Sequence, residues 1–252
     1  MYLNNPQTMT APAVSESAVP VSTSRGLPAR VVGVLFSPRA TYAEIAARPR
    51  WLGVLVLIIL WGSVGVYTLL STQVGQDAMV ERQVRQTEAF GRQLTDAQYE
   101  QIQRMAPYGK YFGVGFQVVM LPLAAVIITG LAFVIFNVVM GGEAFFKQVF
   151  AIVVHSGVVL TLLQTLGLPL AYMRETLSSA TTLAVFAPFL DESSFAARLL
   201  GAVDLVLIWW IVSLAIGLGV LYRKRTAPIA TTLIAVYVAI GAVIAAVQSA
   251  AS

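Results

Sequence analysis

Asp204 is the one charged residue inside an otherwise apolar stretch, Leu199 to Tyr222, and an acid in that setting invites a chemical question. Holding a charge at mid-bilayer costs about 2.5 to 3.5 kcal/mol on insertion scales, so such groups mark either function or a specific interhelical bond. Gln117, Gln164, His155 and Asn137 lie in comparable stretches. With about 1.5 Å of helical rise per residue, Asp204 falls roughly 7 Å below the outer boundary, and Gln117 and Gln164 reach nearly the same depth. His155 is about 11 Å from the inner boundary by the same rise, and Asn137 is close to the inner surface.

This layer admits two readings. A carboxylate flanked by two amides could bind a cation or relay a proton. Alternatively, an acid near the positive N-terminal end of a helix could be satisfied by the amides and simply join three helices. His155 reads as an interhelical hydrogen-bonding residue rather than a ligand. Pro122 and Pro169, with Gly217 and Gly219, permit kinks or close packing.

Catalysis has little to draw on. One histidine and no cysteine leave few combinations of nucleophile, base and orienting group. Gly62-Ser63-Val64-Gly65 lacks the glycine two residues before serine that a nucleophile elbow requires. His155 and Ser156 are adjacent on a helix and point in different directions. No catalytic residue, cofactor or metal site is expected.

The elements that carry these residues are long and apolar. Spans are expected at about 51–70, 111–140, 148–173, 199–222 and 228–250, each near the 20 residues a helix needs to cross hydrocarbon. Composition agrees: 58% of residues are hydrophobic and 11% charged, against about a quarter charged in a soluble domain. The expected fold is all-α, a polytopic membrane protein with a bundle of five transmembrane helices. Residues 1–24 lack Lys, Arg and apolar periodicity and read as a disordered tail, leaving 25–252 as the membrane domain.

Charge distribution orients the bundle. Arg25, Arg30, Arg39, Arg48 and Arg50 precede the first span, and Arg223, Lys224 and Arg225 fill a short connection without an acid. The loop 71–110 balances five bases with five acids, and 174–198 holds two bases and three acids. Positive residues mark the cytoplasmic side, so the N-terminus is expected inside and the C-terminus outside. The net charge of +4 then implies contact with anionic lipids at the cytoplasmic face rather than nucleic-acid binding.

Short helices are expected outside the membrane. Ser37-Pro38 resembles an N-cap followed by proline at the first helical position. The segment 38–48 places Tyr42 and Ile45 on one side, against the membrane interface, against the protein's own spans, or against both. In the outer loop 71–110, Met79, Val80, Val84, Phe90 and Leu94 share a face. Thr95-Asp96-Ala97-Gln98 forms a capping-box pattern opening a second helix that ends near Met105.

The order of short motifs resembles a known family. Leu35-Phe36-Ser37-Pro38-Arg39, then Tyr42, Ile45 and Arg48-Pro49, resembles the start of bacterial Yip-family membrane domains. Gly141-Gly142-Glu143-Ala144-Phe145-Phe146 with Gln148, and Asp204 with Trp209, continue the resemblance, which runs from about Val31 to Ala246. It implies five spans with a cytoplasmic N-terminus. The family is named for eukaryotic members that bind Ypt/Rab GTPases in membrane traffic. This alanine-rich, short-looped chain looks like the bacterial members, for which the family supplies no established activity, so GTPase binding is not carried over. The resemblance implies a non-enzymatic protein of the bacterial inner membrane that recruits or organises a membrane or cytoplasmic partner. The alternative is a small permease or ion-handling protein using the layer around Asp204.

Overall fold

The computed structural model describes residues 26–89, 91–173, 181–191 and 194–251, so the tail 1–24 and Phe90 lie outside the described residues. The described backbone is almost entirely helical, apart from turns and one isolated bridge.

Two short helices come first: α1 (Leu27–Phe36) and α2 (Pro38–Ala47). Ser37 closes one and opens the other. Its N–H donates to the Gly33 carbonyl at 2.8 Å, and its own carbonyl accepts from the Thr41 hydroxyl at 2.9 Å. Pro38 sits at the start of α2, where its missing N–H leaves nothing unsatisfied. The Ser37 hydroxyl makes no cap bond.

The long elements follow. They are α3 (Leu52–Leu70), α4 (Gln73–Glu88), α5 (Asp96–Met105), α6 (Gly109–Phe133), α7 (Phe146–Met173), α8 (Phe195–Ala202), α9 (Leu205–Leu221) and α10 (Thr226–Ala251). Three helical runs are long and apolar enough to cross a membrane: Leu52–Leu70, the apolar part of Asp96–Val139, and Thr226–Ala250. Two more apolar helices accompany them, α7 with 28 residues and α9 with 17.

Two boundaries differ from expectation. Pro107 does not separate α5 from α6. A 3-10 turn at Ala106–Tyr108 absorbs the proline, and the helical run continues unbroken from Asp96 to Val139. Conversely, the stretch 199–222 is not one helix. Val203 and Asp204 are extended, and the chain restarts as α9. The break is held from outside, because Leu183 N–H bonds the Val203 carbonyl at 2.9 Å and Leu205 N–H bonds the Thr181 carbonyl at 3.0 Å. Hydrophobicity alone does not encode such a break, since Leu199, Leu200, Val203, Leu205 and Val206 on its two sides are all apolar.

Residue pairs fix the direction of each long helix. Trp51 packs on Phe150, and Trp61 donates to Thr165, so α3 and α7 run the same way. Gly62 faces Gln117 and Gly113 faces Val66, so α6 runs opposite to α3. Gly217 faces Ile152 while Trp210 bonds Ser156, so α9 opposes α7. Gly219 meets Thr226 while Asp204 meets Tyr237, so α10 opposes α9. The five helices alternate in direction along the chain.

The core lies toward the end of the bundle where the chain begins. Tyr42 and Ile45 of α2 are fully buried with Ile152, Val149 and Leu218. The segment 38–48 therefore packs on the protein's own long helices. Gly217 makes room for it, since a Cβ there would stand 2.4 Å from Ile152 Cγ2 and 3.1 Å from the Tyr42 ring. Arg30 of α1 is buried as well, donating to the Arg50 carbonyl at 3.5 Å and facing Glu44 at 4.0 Å. At the periphery, Phe116, Ile127 and Leu131 of α6 and Ile240 and Val243 of α10 are exposed. A continuous apolar surface of this kind is what a helix in hydrocarbon presents.

Candidate functional site

Asp204 is built as a helix cap. It stands in the extended break before α9, and its carboxylate accepts from Val206 N–H at 2.7 Å and from the Thr181 hydroxyl at 2.9 Å. Its own N–H donates to Tyr237 Oη at 2.9 Å, and that phenol donates to the Ala202 carbonyl at 2.7 Å. An acid at a helix N-cap satisfies an orphan amide and meets the positive end of the helix dipole. The Asp204 carboxylate thus ties α9 to the segment around Thr181, while its backbone N–H and the Tyr237 phenol tie in α10 and α8.

Gln117 is placed elsewhere. It fills the seam between α3 and α6, where a Cβ on Gly62 would come within 2.0 Å of its Nε2. No hydrogen bond links it to Asp204. The Gln164 side chain lies outside the described residues. Among the described residues, then, the outer layer is made by Asp204, Thr181 and Tyr237. The last two were missed because hydroxyls at span ends look unremarkable in a sequence.

His155 is fully buried on α7, with Nδ1 at 2.7 Å from the carbonyl of Ala151 on the same helix. Among the described residues its Nε2 has no hydrogen-bond partner. The interhelical bond is made by its neighbour. Ser156 donates to the Val153 carbonyl at 2.7 Å and accepts from Trp210 Nε1 of α9 at 3.1 Å. A second polar tie to α9 comes from α2, where Tyr42 Oη and Ser213 Oγ lie 2.7 Å apart in a buried site.

Asn137 pins the opposite end. Its Nδ2 donates to the Ala144 carbonyl at 2.7 Å, and its Oδ1 accepts from Tyr222 Oη at 2.6 Å. This gives the glycine motif a physical meaning. Gly141 adopts φ 68° to end the preceding helical turn, a left-handed conformation that glycine tolerates best. At Gly142 a Cβ would lie 2.7 Å from the Phe136 carbonyl oxygen and 2.7 Å from the Tyr222 ring. Gln148 then caps α7 by accepting from Phe145 N–H at 2.8 Å and reaches the Ala46 carbonyl of α2 at 2.9 Å. Phe145 and Trp209 point outward, 75% and 54% exposed.

In the outer segment, the capping box at Thr95 and Gln98 makes both of its bonds. Thr72 likewise caps α4 by accepting from Gly75 N–H at 3.1 Å. Among the described residues no group of His, Asp and Glu gathers as a metal-binding set.

Ser156, Ser213, Asn137 and Asp204 thus join separate elements of the bundle, and the exposed surface along α3, α6 and α10 is largely apolar. Those features define an integral membrane protein of helical-bundle type. A family model for the Yip1 domain matches residues 32–247, and the chain belongs to that family. No curated protein and no solved structure matches this chain.

Proposed function

We propose that the chain is a non-enzymatic, five-span protein of a bacterial cytoplasmic membrane that recruits or organises partners there. The observation that carries this reading is the use of the polar groups. Asp204, Asn137, Ser156 and Tyr42 each make a hydrogen bond to another helix or turn of the same chain. These residues fasten the bundle, which supports a structural rather than a transport or catalytic use of them. Asp204 is accordingly a structural cap.

The alternating helix directions support five spans, because each reversal corresponds to one crossing. The α9 helix covers about 25 Å at 1.5 Å per residue, close to the hydrocarbon thickness. Arg39 and the turn Arg223 to Arg225 cluster at the end where the chain enters, which supports that end being cytoplasmic. The basic end also favours contact with anionic lipids.

Two measurements test the proposal. The chain has no cysteine, so single cysteines at Ser252 and Thr226 can be labelled in intact cells with an impermeant reagent. Reaction at Ser252 and protection at Thr226 is expected, and the reverse pattern overturns the orientation. Proteoliposomes holding the wild-type protein should show no ion or proton flux above empty vesicles, and affinity capture from native membranes should recover a reproducible partner. Flux that disappears in Asp204→Asn would establish the permease reading instead.

A further inference from the structure

The end of the bundle where α9 passes into α10 carries an unneutralised positive cleft. Arg39 from the first turn of α2 faces Arg223, Lys224 and Arg225 from the connecting turn, with Gly219 and Thr226 closing the floor. All four cations are exposed, and none has an ion pair among the described residues. The first turns of α2 and α10 contain no acid. Glu44, the acid of α2, faces Arg30 instead.

The turn also holds its charge against local preference. Arg223 has φ 52°, the only non-glycine residue with positive φ among those described. Its neighbour Lys224 donates N–H to the Gly219 carbonyl at 2.9 Å, closing the end of α9. Helix ends of this kind most often place glycine in the left-handed position, because a Cβ is strained there. A strained arginine beside two further bases keeps a cation where glycine would be easier.

From this we infer that the cleft binds the phosphate headgroup of an anionic phospholipid, held between Arg39 and the Arg223–Arg225 turn. Arginine guanidinium groups from two elements match the oxygens of a phosphodiester. The lipid source follows from position. The cleft lies where α9 ends and α10 begins, so its height is that of the headgroups above an apolar helix pair. This deepens the proposed function, and rests on it for α9 and α10 crossing the membrane and for which leaflet supplies the lipid.

The test uses the full chain purified in an uncharged detergent, with thermal stability measured as dioleoyl phosphatidylglycerol is added. The wild type should be stabilised by phosphatidylglycerol and not by phosphatidylcholine. Arg39→Gln with Arg225→Gln should weaken the lipid response by roughly fivefold per cation removed, taking about 1 kcal/mol for each juxtamembrane base. Arg223→Gly should raise the lipid-free melting temperature by relieving the strained turn while lowering the lipid response. Because that variant is stabilised, loss of response in it is not loss of folding. A control with Arg48→Gln and Arg50→Gln removes two bases of the same end outside the cleft and should keep most of the response. Equal loss in the control would mean diffuse charge and overturn the site. So would an equal shift from inorganic phosphate, which would assign the cleft to a soluble anion. Detergent measurements do not depend on orientation, so an outward-facing Thr226 in the labelling experiment would overturn the leaflet and leave the site standing.

Discussion

The hydroxyls of Tyr42 and Ser213 lie 2.7 Å apart in a fully buried site, across 171 positions of sequence. The bond fastens α2, which precedes the first long apolar helix, to the middle of α9. Burial raises the Tyr42 phenol far above its ordinary range, and the Ser213 bond opposes this only in part. The hydroxyl therefore stays protonated and keeps its hydrogen for bonding across the physiological range. The α1–α2 pair is part of the bundle's core rather than an appendage to it.

Replacing Tyr42 separates the bond from the packing. Tyr42→Phe should cost roughly 0.6 to 2 kcal/mol, the range for interhelical hydrogen bonds in membranes. Tyr42→Ala should cost about 3 to 5 kcal/mol, as loss of a buried aromatic does. Equilibrium unfolding in detergent reads both values. Equal and small losses would show that α2 is not docked.

Two kinds of glycine should respond in opposite ways. Gly142→Ala must displace the Phe136 carbonyl or the Tyr222 ring, and should cost about 1 to 3 kcal/mol, as overpacking does. Gly115→Ala meets nothing within 4 Å and should be neutral or stabilise α6 by about 0.5 to 1 kcal/mol through helix propensity. Melting temperatures of the two variants are the comparison. A harmless Gly142→Ala would remove the tight α6–α7 turn as the reason for that glycine.

His155 offers a sharper contrast. Its Nε2 is buried without a partner, and its single bond goes to its own helix. His155→Leu removes an unsatisfied polar atom at similar volume, so stability should change by less than about 1 kcal/mol or increase. Ser156→Ala should instead lose about 0.6 to 1.7 kcal/mol, because it strands Trp210 Nε1. The reverse ranking in a thermal-unfolding series would mean that His155 carries the cross-helix bond.

Much of the architecture is legible in the residues. Uncharged apolar runs fix the helices, and Thr95 with Gln98 fixes the start of α5 through reciprocal bonds that depend on four neighbouring residues alone. The docking of α2 is less legible. Tyr42 and Ile45 on one face fit a lipid interface as well as a protein groove, and the groove exists only because Gly217 lies opposite. The break at Val203 is invisible for a different reason. It is held by Thr181 and Leu183, about twenty residues earlier, and no local pattern announces that pairing. Equal depth alone sets Gln117 level with Asp204, but depth does not say which face of a helix a residue occupies. Gln117 faces α3, whereas Asp204 turns to α10 and the Thr181 segment.

The strongest test of that outer junction is Asp204 itself. As the cap of α9 it accepts from Val206 N–H and Thr181, and an asparagine can accept the same two bonds. Asp204→Asn should therefore change stability by only a few tenths of a kcal/mol, since Asn and Asp are near-equal caps. Asp204→Leu loses the cap and leaves the Val206 amide unpaired, which should cost about 0.5 to 2 kcal/mol. Tyr237→Phe removes the phenol that links Asp204 N–H to the Ala202 carbonyl, and should lose a comparable amount. Because Asp204 and Tyr237 share one network, the double variant should lose less than the sum of the single losses. Additive losses would dissolve the junction. A large loss in Asp204→Asn would show that the charge, and not the cap, holds α8, α9 and α10 together.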